Sequence, residues 1–247
     1  MPHPVVHFEI GGPDDSKLAD FYAGLFGWRM TPVQGGVGYT LVDTCGGAGI
    51  NGGISKSPDG TPSVTFYIQT DDLQAALDKV NLLGGKTSTP ITELPGMATL
   101  AQFEDPDGLV IGLVLGPADP AQSDIQGPSS GSGAPVDWFE LLGVDPDRSQ
   151  RFYAEIFGWQ ASEAGQGYRM VDTGSPGGIK GGIGIAQADS WATVYASVGN
   201  VEAILARAVE LGGSRVYGPD QVDDHMQTGA LRDPAGSVFG VYQHTPH

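Results

Sequence analysis

VVHFEIGGPDDSKLADFYAGLFGW, residues 5 to 28, decides the fold, because a related stretch returns as VDWFELLGVDPDRSQRFYAEIFGW at residues 136 to 159. Both stretches alternate apolar and polar residues at first and then contain FY followed by FGW. Aligning Phe21 with Phe152 gives an offset of 131 residues. The stretch therefore predicts an internal duplication, in which each side chain can be compared with its counterpart in the other half.

The spacing persists toward the C-terminus. GYTLVDT contains Tyr39 and its match GYRMVDT contains Tyr168, while the turn DPDG at Asp105 returns as DPAG at Asp233. The offsets are 129 and 128 residues. The two halves are thus duplicated over nearly their full length.

The chain is long enough for two domains, each able to bury one hydrophobic core. Residues 117–135 are rich in Gly, Pro and Ser and almost free of apolar side chains, so we expect a linker there. The predicted domains are residues 1–116 and 136–247.

The net charge of −17, with only 12 Lys and Arg in 247 residues, argues against two classes of partner. A nucleic-acid backbone and an anionic membrane would both be repelled at long range. We therefore predict neither nucleic acid nor a membrane as a partner. The acidity indicates either a well-solvated surface or attraction of a cationic small molecule, and the composition leaves both open.

The single cysteine, Cys45, excludes an internal disulfide, and the N-terminus has neither the basic start nor the apolar run of a secretion signal. No stretch approaches the roughly 18 apolar residues of a membrane span. We expect a cytoplasmic location. Cys45 has no neighbouring His or Lys to lower its pKa, which favours a structural role.

The local patterns predict a repeated βαβββ unit. Val6, Phe8 and Ile10 alternate with His7 and Glu9, as in a strand with one buried face. A helix with apolar residues at i, i+3, i+4 and i+7 follows, and three short strands separated by glycine-rich turns complete the unit. The same order begins again near residue 63 and twice more in the second half. The predicted fold class is α+β, with four βαβββ units.

The chain resembles the vicinal oxygen chelate superfamily, which includes glyoxalases, bleomycin-resistance proteins and extradiol dioxygenases. The resemblance rests on the four βαβββ units, on FY…FGW in the first helix and on DPDG before the last strand. The tandem form resembles the two-domain "glyoxalase family" proteins. The resemblance implies two tandem domains whose sheets curl around clefts between units. In the enzymes of that family, inward-pointing His and Glu side chains hold a divalent metal that chelates two substrate oxygens.

Carrying those ligand positions onto this chain leaves an incomplete set. His7 matches the first ligand, but its counterpart in the second half is a tryptophan. The other positions and the fourth strands of the units supply no His, Asp or Glu. The residues at the matching positions are Thr65, Thr193, Gly112, Gly240 and Trp138. We therefore predict no metal cofactor, although a divalent metal stays possible if other ligands exist.

Glu9 and Glu140 match across the halves and share a strand face with the first ligand position. They are candidates for general bases or anchors of a cationic or hydroxylated ligand, or they bond backbone or Arg groups at the sheet edge. His7 is a candidate active residue or an ordinary structural histidine.

Trp138, Tyr67 and Tyr195 are expected on the same faces, where they either stack on a ligand or fill the space of a lost metal site. We expect Trp28 and Trp159 to lie in the core with Phe21 and Phe152, because they recur as packing residues do. His225 is expected in an exposed loop.

Two functions from different classes remain. The first is a metal-free binding protein that holds a small organic molecule in a cleft between units. The second is a divergent lyase, isomerase or dioxygenase, which would either be metal-dependent through His7 or use His7, Glu9 or Glu140 as an acid or base. The expected assembly is a monomer with pseudo-dimeric halves or a homodimer.

Overall fold

The computed structural model describes residues 2–33, 38–116, 127–186 and 189–244. It confirms the predicted α+β fold class. The chain forms two sheets of eight strands, and each sheet contains two of the four βαβββ units. Among the described residues, none of the helices has the length and apolar character needed to cross a membrane.

The first half contains the elements β1 Val5–Gly12, α1 Asp15–Phe26, β2 Arg29–Pro32, β3 Tyr39–Asp43, β4 Asn51–Lys56, β5 Ser63–Thr70, α2 Leu73–Leu82, β6 Lys86–Leu94, β7 Ala98–Glu104 and β8 Val110–Leu115. The second half repeats this order with β9 Val136–Gly143, α3 Pro146–Phe157, β10 Gln160–Gly165, β11 Tyr168–Asp172, β12 Lys180–Ile185, β13 Trp191–Ser197, α4 Val201–Glu210, β14 Ser214–Asp223, β15 Met226–Arg232 and β16 Val238–His244.

Both sheets have the same topology. The strand orders are β2-β3-β4-β1-β5-β8-β7-β6 and β10-β11-β12-β9-β13-β16-β15-β14. Within each unit the first strand pairs parallel with the last strand, and the three strands after the helix pair antiparallel. Each sheet therefore combines the two units of one half.

The two motif helices begin and end at capping residues. Asp14 caps α1 by accepting a hydrogen bond from the backbone N–H of Lys17 at 3.0 Å, and Asp145 caps α3 in the same way. Both helices end at a glycine in the left-handed region, Gly27 and Gly158. Glycine suits these positions because it adopts a positive φ without steric cost.

The chain divides into two compact bodies, each of which takes one unit from each half. The first comprises Met1–Val6, Thr65–Gln126 and Trp138–Ala192, and the second comprises His7–Val64, Gly127–Asp137 and Thr193–His247. The predicted domain bounds 1–116 and 136–247 follow the duplication rather than these bodies, and they stay a prediction.

An aromatic cluster fills the core of each body. In the second body, Tyr22 stacks on Trp28 with ring centroids 5.6 Å apart, and both rings pack against Phe239. In the first body, Tyr153 stacks on Trp159 at 5.3 Å. The predicted core residues Phe21, Phe152, Trp28 and Trp159 are all buried, which confirms that prediction.

A buried tyrosine–aspartate pair ties the helix of one half to the DPxG turn of the other. Tyr22 donates its hydroxyl hydrogen bond to Asp233 at 3.1 Å, and Tyr153 donates to Asp105 at 3.0 Å. The other oxygen of each aspartate accepts backbone N–H groups of its own turn. The two sequence motifs that recur in both halves are therefore partners of each other.

Residues 127–135 of the predicted linker contact the first half, and residues 117–126 lie outside the described residues. Ser129 donates its hydroxyl to Asp43 at 2.5 Å, and the indole N–H of Trp28 donates to the Ala134 carbonyl at 2.8 Å. Cys45, which lies two residues after Asp43, is buried and forms no disulfide. The end of the predicted linker is thus an ordered part of the second body.

Replacing either buried tyrosine tests the motif pairing. Tyr153→Phe and Tyr22→Phe should each lower the free energy of unfolding by about 1–3 kcal/mol, because a buried carboxylate oxygen loses its donor. Urea denaturation followed by tryptophan fluorescence measures both changes. Two unfolding curves that match the unchanged protein would contradict the assigned role.

The pH dependence of stability tests the same pair. Burial raises the pKa of Asp105 from 3.8 to about 6 in the folded protein, against the lowering effect of its hydrogen bonds. Its protonated form therefore stabilises the fold fully below pH 3.8, and that stabilisation is lost as the pH rises through 6. Relative to the unchanged protein, Asp105→Asn should gain stability over this window. If the difference in unfolding free energy between the two proteins were the same at every pH, the raised pKa of Asp105 would be contradicted.

Candidate functional site

His7 lies on β1 opposite Asn51 of β4 and is half-buried. Its Nε2 is hydrogen-bonded to the hydroxyl of Tyr39 at 2.9 Å. Burial lowers the pKa of His7 to about 4, because a charged imidazolium would lose solvation. At neutral pH His7 is therefore an uncharged imidazole hydrogen-bonded to a phenol, and it carries no charge that would attract an anion.

Glu9, two residues further along β1, lies on the same strand face. It accepts a hydrogen bond from the Ser55 hydroxyl at 3.1 Å and pairs in register with Gly53. Tyr39 covers that glycine so closely that a Cβ at Gly53 would overlap the Tyr39 hydroxyl. The sequence therefore placed His7 and Glu9 on one face correctly, and Tyr39 joins them there.

The equivalent face in the second half belongs to the first compact body. The indole N–H of Trp138 donates to the hydroxyl oxygen of Tyr168 at 3.2 Å, and Tyr168 donates to Glu140 at 2.9 Å. Tyr168 lies over Gly182, the counterpart of Gly53. Trp138 and Glu140, both half-buried, are thus joined by a tyrosine in a chain of hydrogen bonds. Such chains hold their members in fixed orientations.

Tyr67 and Tyr195 are almost fully buried, at 4% and 3% exposure. Each ring lies over the glycine opposite it on the neighbouring parallel strand, Gly112 or Gly240. The Tyr67 hydroxyl accepts a hydrogen bond from the Gln102 amide at 3.1 Å, and the Tyr195 hydroxyl is paired with that of Tyr217 at 3.1 Å. Both tyrosines act mainly as packed side chains with a polar end.

The threonines at the second ligand position point their hydroxyls into the sheet. Thr65 donates to the carbonyl of Val110 at 2.7 Å, and Thr193 donates to that of Val238 at 2.8 Å. Both side chains are buried. Each hydroxyl is held by its bond to a strand carbonyl, and His, Cys, Asp and Glu side chains, not threonine, are the usual ligands of a protein-bound metal.

The side chains at the implied ligand positions do not fit a divalent metal. At the position of the closing Glu, a side chain on Gly112 or Gly240 would overlap a tyrosine ring. Within the described ranges, no group of three or more His, Cys, Asp or Glu side chains could hold a metal ion. A metal site needs three or four converging ligands, which these faces do not offer.

Sequence reasoning missed the role of the glycine pairs in β4 and β12. Phe8 lies over Gly52 on the core face, while Tyr39 lies over Gly53 on the opposite face. The second half repeats this at Gly181 and Gly182. Two adjacent glycines in a strand are a usable signal, because each leaves space for an aromatic ring on one face of the sheet.

Other candidate features lie elsewhere. His225 is exposed in the turn between β14 and β15, as expected. Two surface cavities of about 160 Å³ and about 410 Å³ have linings that include none of the predicted site residues. The larger lies in the second body and is lined by Leu25, Phe26, Gly27, Ser132, Gly133, Ala134, Pro135, Ser197, Val198, Gly199 and Ile204.

Two family models match the chain in tandem. The glyoxalase/bleomycin resistance protein/dioxygenase superfamily model matches residues 5–113, and a glyoxalase-like domain model matches residues 142–242. The matches cover most of both halves and leave out the whole predicted linker, residues 117–135.

Several described proteins are similar over nearly the whole chain. A protein of Mycobacterium tuberculosis named "Putative glyoxylase CFP32" is 30% identical, and the match covers 94% of this chain and 92% of the relative. The "Anthracycline biosynthesis protein DnrV" of Streptomyces peucetius is 29% identical, with coverage of 96% and 91%.

Solved structures share the fold. A Mn(II)-bound glyoxalase from Novosphingobium aromaticivorans superimposes with a TM-score of 0.69 at 14% identity, covering 98% of this chain and 82% of that one. The 2,3-dioxygenase LapB from Pseudomonas sp. KL28 gives a TM-score of 0.67 at 14% identity, with coverage of 100% and 95%. At this identity the likeness concerns the fold alone.

A double-mutant cycle tests whether the tyrosine ring occupies the position of the missing acidic ligand. Gly112→Ala should lower the free energy of unfolding by about 1–3 kcal/mol through overpacking against Tyr67. In a Tyr67→Ala background the same substitution should cost nearly nothing. Urea unfolding of the four proteins measures the coupling. Equal costs in both backgrounds would show that the ring does not block this position.

Proposed function

Because the chain belongs to the glyoxalase/bleomycin resistance protein/dioxygenase superfamily, we propose that it uses this fold to bind a small organic molecule without a protein-bound metal ion. The proposed binding surface is the strand face formed by Trp138, Tyr168 and Glu140. The matching face of His7, Tyr39 and Glu9 is its counterpart in the first half.

The hydrogen-bonded group Trp138–Tyr168–Glu140 carries this proposal. Its three members are half-buried and fixed by bonds of 3.2 Å and 2.9 Å, so little freedom would be lost on binding. A carboxylate accepts hydrogen bonds from hydroxyl and amine groups. The indole offers a flat apolar surface beside it. The ligand class that fits is a flat molecule with at least one hydroxyl or amine hydrogen.

The packing at the ligand positions supports binding without a metal. The superfamily resemblance implies metal ligands at two kinds of position. At one of them threonine hydroxyls are hydrogen-bonded to strand carbonyls, and at the other a tyrosine ring packs on a glycine. The names of two relatives point in different directions. One is described only by a role in anthracycline biosynthesis, which agrees with a flat aromatic ligand.

The alternative is an enzyme, either metal-dependent or working by acid–base chemistry. The other relative, described as a putative glyoxylase, favours it. Two phenol pairs also favour the acid–base form, because Tyr168 with Glu140 and Tyr39 with His7 place a proton donor 2.9 Å from an acceptor. In that form Glu140, Glu9 or His7 would take the proton from a bound substrate.

Thermal unfolding with a panel of flat hydroxylated aromatic compounds tests the proposal. A binding compound should raise the melting temperature equally with and without EDTA, since no metal takes part. Trp138→Ala and Glu140→Gln should remove most of that shift. Glu210→Gln, an exposed helix position in the other body, is the matched control and should leave the shift unchanged.

Two results would favour the enzyme instead. A shift that EDTA abolishes, together with stoichiometric metal in freshly purified protein, would overturn the metal-free account. Turnover of a panel compound that is lost in Glu140→Gln or His7→Ala would replace simple binding by acid–base catalysis.

A further inference from the structure

The two halves differ in chemistry at one set of equivalent positions. In the first half, Val6 and Val114 pack with the ring of Tyr67 in a buried apolar cluster, against which Leu100 is partly buried. By the spacing of the duplication, the second half has Asp137 where the first has Val6, Tyr242 where it has Val114, and Thr228 where it has Leu100. The apolar cluster of the first half therefore corresponds to a group of polar side chains in the second half.

These polar residues lie together in the second compact body. Tyr242 donates its hydroxyl hydrogen bond to Asp137 at 2.8 Å. Ser197 and Thr228 lie opposite Tyr242 on the two neighbouring strands, so all three residues share one face of the sheet. Tyr195 lies on the same face, two residues before Ser197.

Two further tyrosines lie near Tyr242 on this part of the sheet. The hydroxyl of Tyr195 is paired with that of Tyr217 on β14 at 3.1 Å, and the ring of Tyr242 packs edge-on against His244 at 5.4 Å. Tyr217 and Tyr242 are half-buried, whereas Tyr195 is almost fully buried. The face thus combines one carboxylate with three tyrosines.

Placing Asp137 in this environment costs stability. Burial raises its pKa, while the Tyr242 hydroxyl lowers it. Among the described residues, no Lys or Arg forms an ion pair with Asp137. The charge of His244, which packs on Tyr242, lowers this pKa by a smaller effect. A half-buried carboxylate with no Lys or Arg ion pair among the described residues, at a position where the other half has valine, indicates a role other than packing.

We propose that Asp137 and Tyr242, with Tyr195 and Tyr217, form a binding site for a protonated amine of a small organic molecule, present in the second half alone. The carboxylate supplies the opposite charge, and tyrosine faces attract cations. The net charge of −17 raises the local concentration of cations around the whole chain. This site goes beyond the proposed function, because it uses other residues on the other compact body.

Benzylamine, protonated at neutral pH, is the probe, and benzyl alcohol is its uncharged match in shape. Titration calorimetry should show saturable binding of benzylamine that weakens at high salt, and much weaker binding of benzyl alcohol. Asp137→Asn should reduce benzylamine affinity by about tenfold or more, because it removes the charge and keeps the shape. Tyr242→Phe keeps the ring and should reduce it less.

The duplication supplies a variant expected to fold. Asp137→Val with Tyr242→Val restores the residues of the first half, so it should keep or raise the melting temperature while losing benzylamine binding. Benzylamine and benzyl alcohol also meet the description of a ligand for the Trp138–Tyr168–Glu140 face, so the titrations are repeated in Trp138→Ala/Glu140→Gln. The Asp137 site should still bind benzylamine in this background, so failure of this proposal and failure of the proposed function are distinguishable. Three results would each overturn the proposed site. They are an unchanged benzylamine affinity in Asp137→Asn, equal binding of benzyl alcohol and benzylamine, and no saturable binding of benzylamine.

Discussion

A tyrosine ring seated on a glycine of a neighbouring strand is the packing constraint on which the candidate site depends. The described residues show it in every βαβββ unit: Tyr39 on Gly53, Tyr67 on Gly112, Tyr168 on Gly182 and Tyr195 on Gly240. Protein interiors are packed too densely for a ring and a further side chain to share one space. A carboxylate ligand at these glycines is therefore incompatible with the tyrosines. The constraint also explains why the polar groups of each face are organised around phenol hydroxyls.

The second organising contact is the reciprocal bond between motif helix and DPxG turn. Tyr22 with Asp233 and Tyr153 with Asp105 each join the two halves within one compact body. Each aspartate also fixes its own turn through backbone N–H groups, so one side chain serves local and long-range structure together. Motif conservation between the halves thus reflects folding, and it leaves the sheet faces free to diverge.

Most of the secondary structure could be predicted from the sequence, because it is set by local chemistry. Strand alternation, the aspartate caps and the glycine helix ends involve residues only a few positions apart, and the structure agrees with them. The tyrosine–aspartate pairs could not be predicted in this way. Tyr22 and Asp233 are 211 residues apart, and nothing local to either marks the other as its partner.

The candidate site was predictable only in part. His7 and Glu9 were assigned to one face of the first strand correctly, and Glu140 to the matching face in the second half. Their neighbours Tyr39 and Tyr168 come from strands whose register the sequence does not specify. Glycines in the last strand of each unit were interpreted only as missing ligands, whereas they are also seats for aromatic rings. The Asp137–Tyr242 pair was missed because it is visible only when the two halves are compared position by position in the folded sheet.

We propose that side-chain packing on these sheet faces takes the place of a metal site. Anomalous diffraction from crystals grown with Mn(II) tests it most directly, since the anomalous signal locates manganese without reference to an expected position. The account predicts no anomalous peak on the strand face of either sheet and tyrosine rings in place over their glycines. A peak coordinated by three or more protein atoms on either face would contradict it.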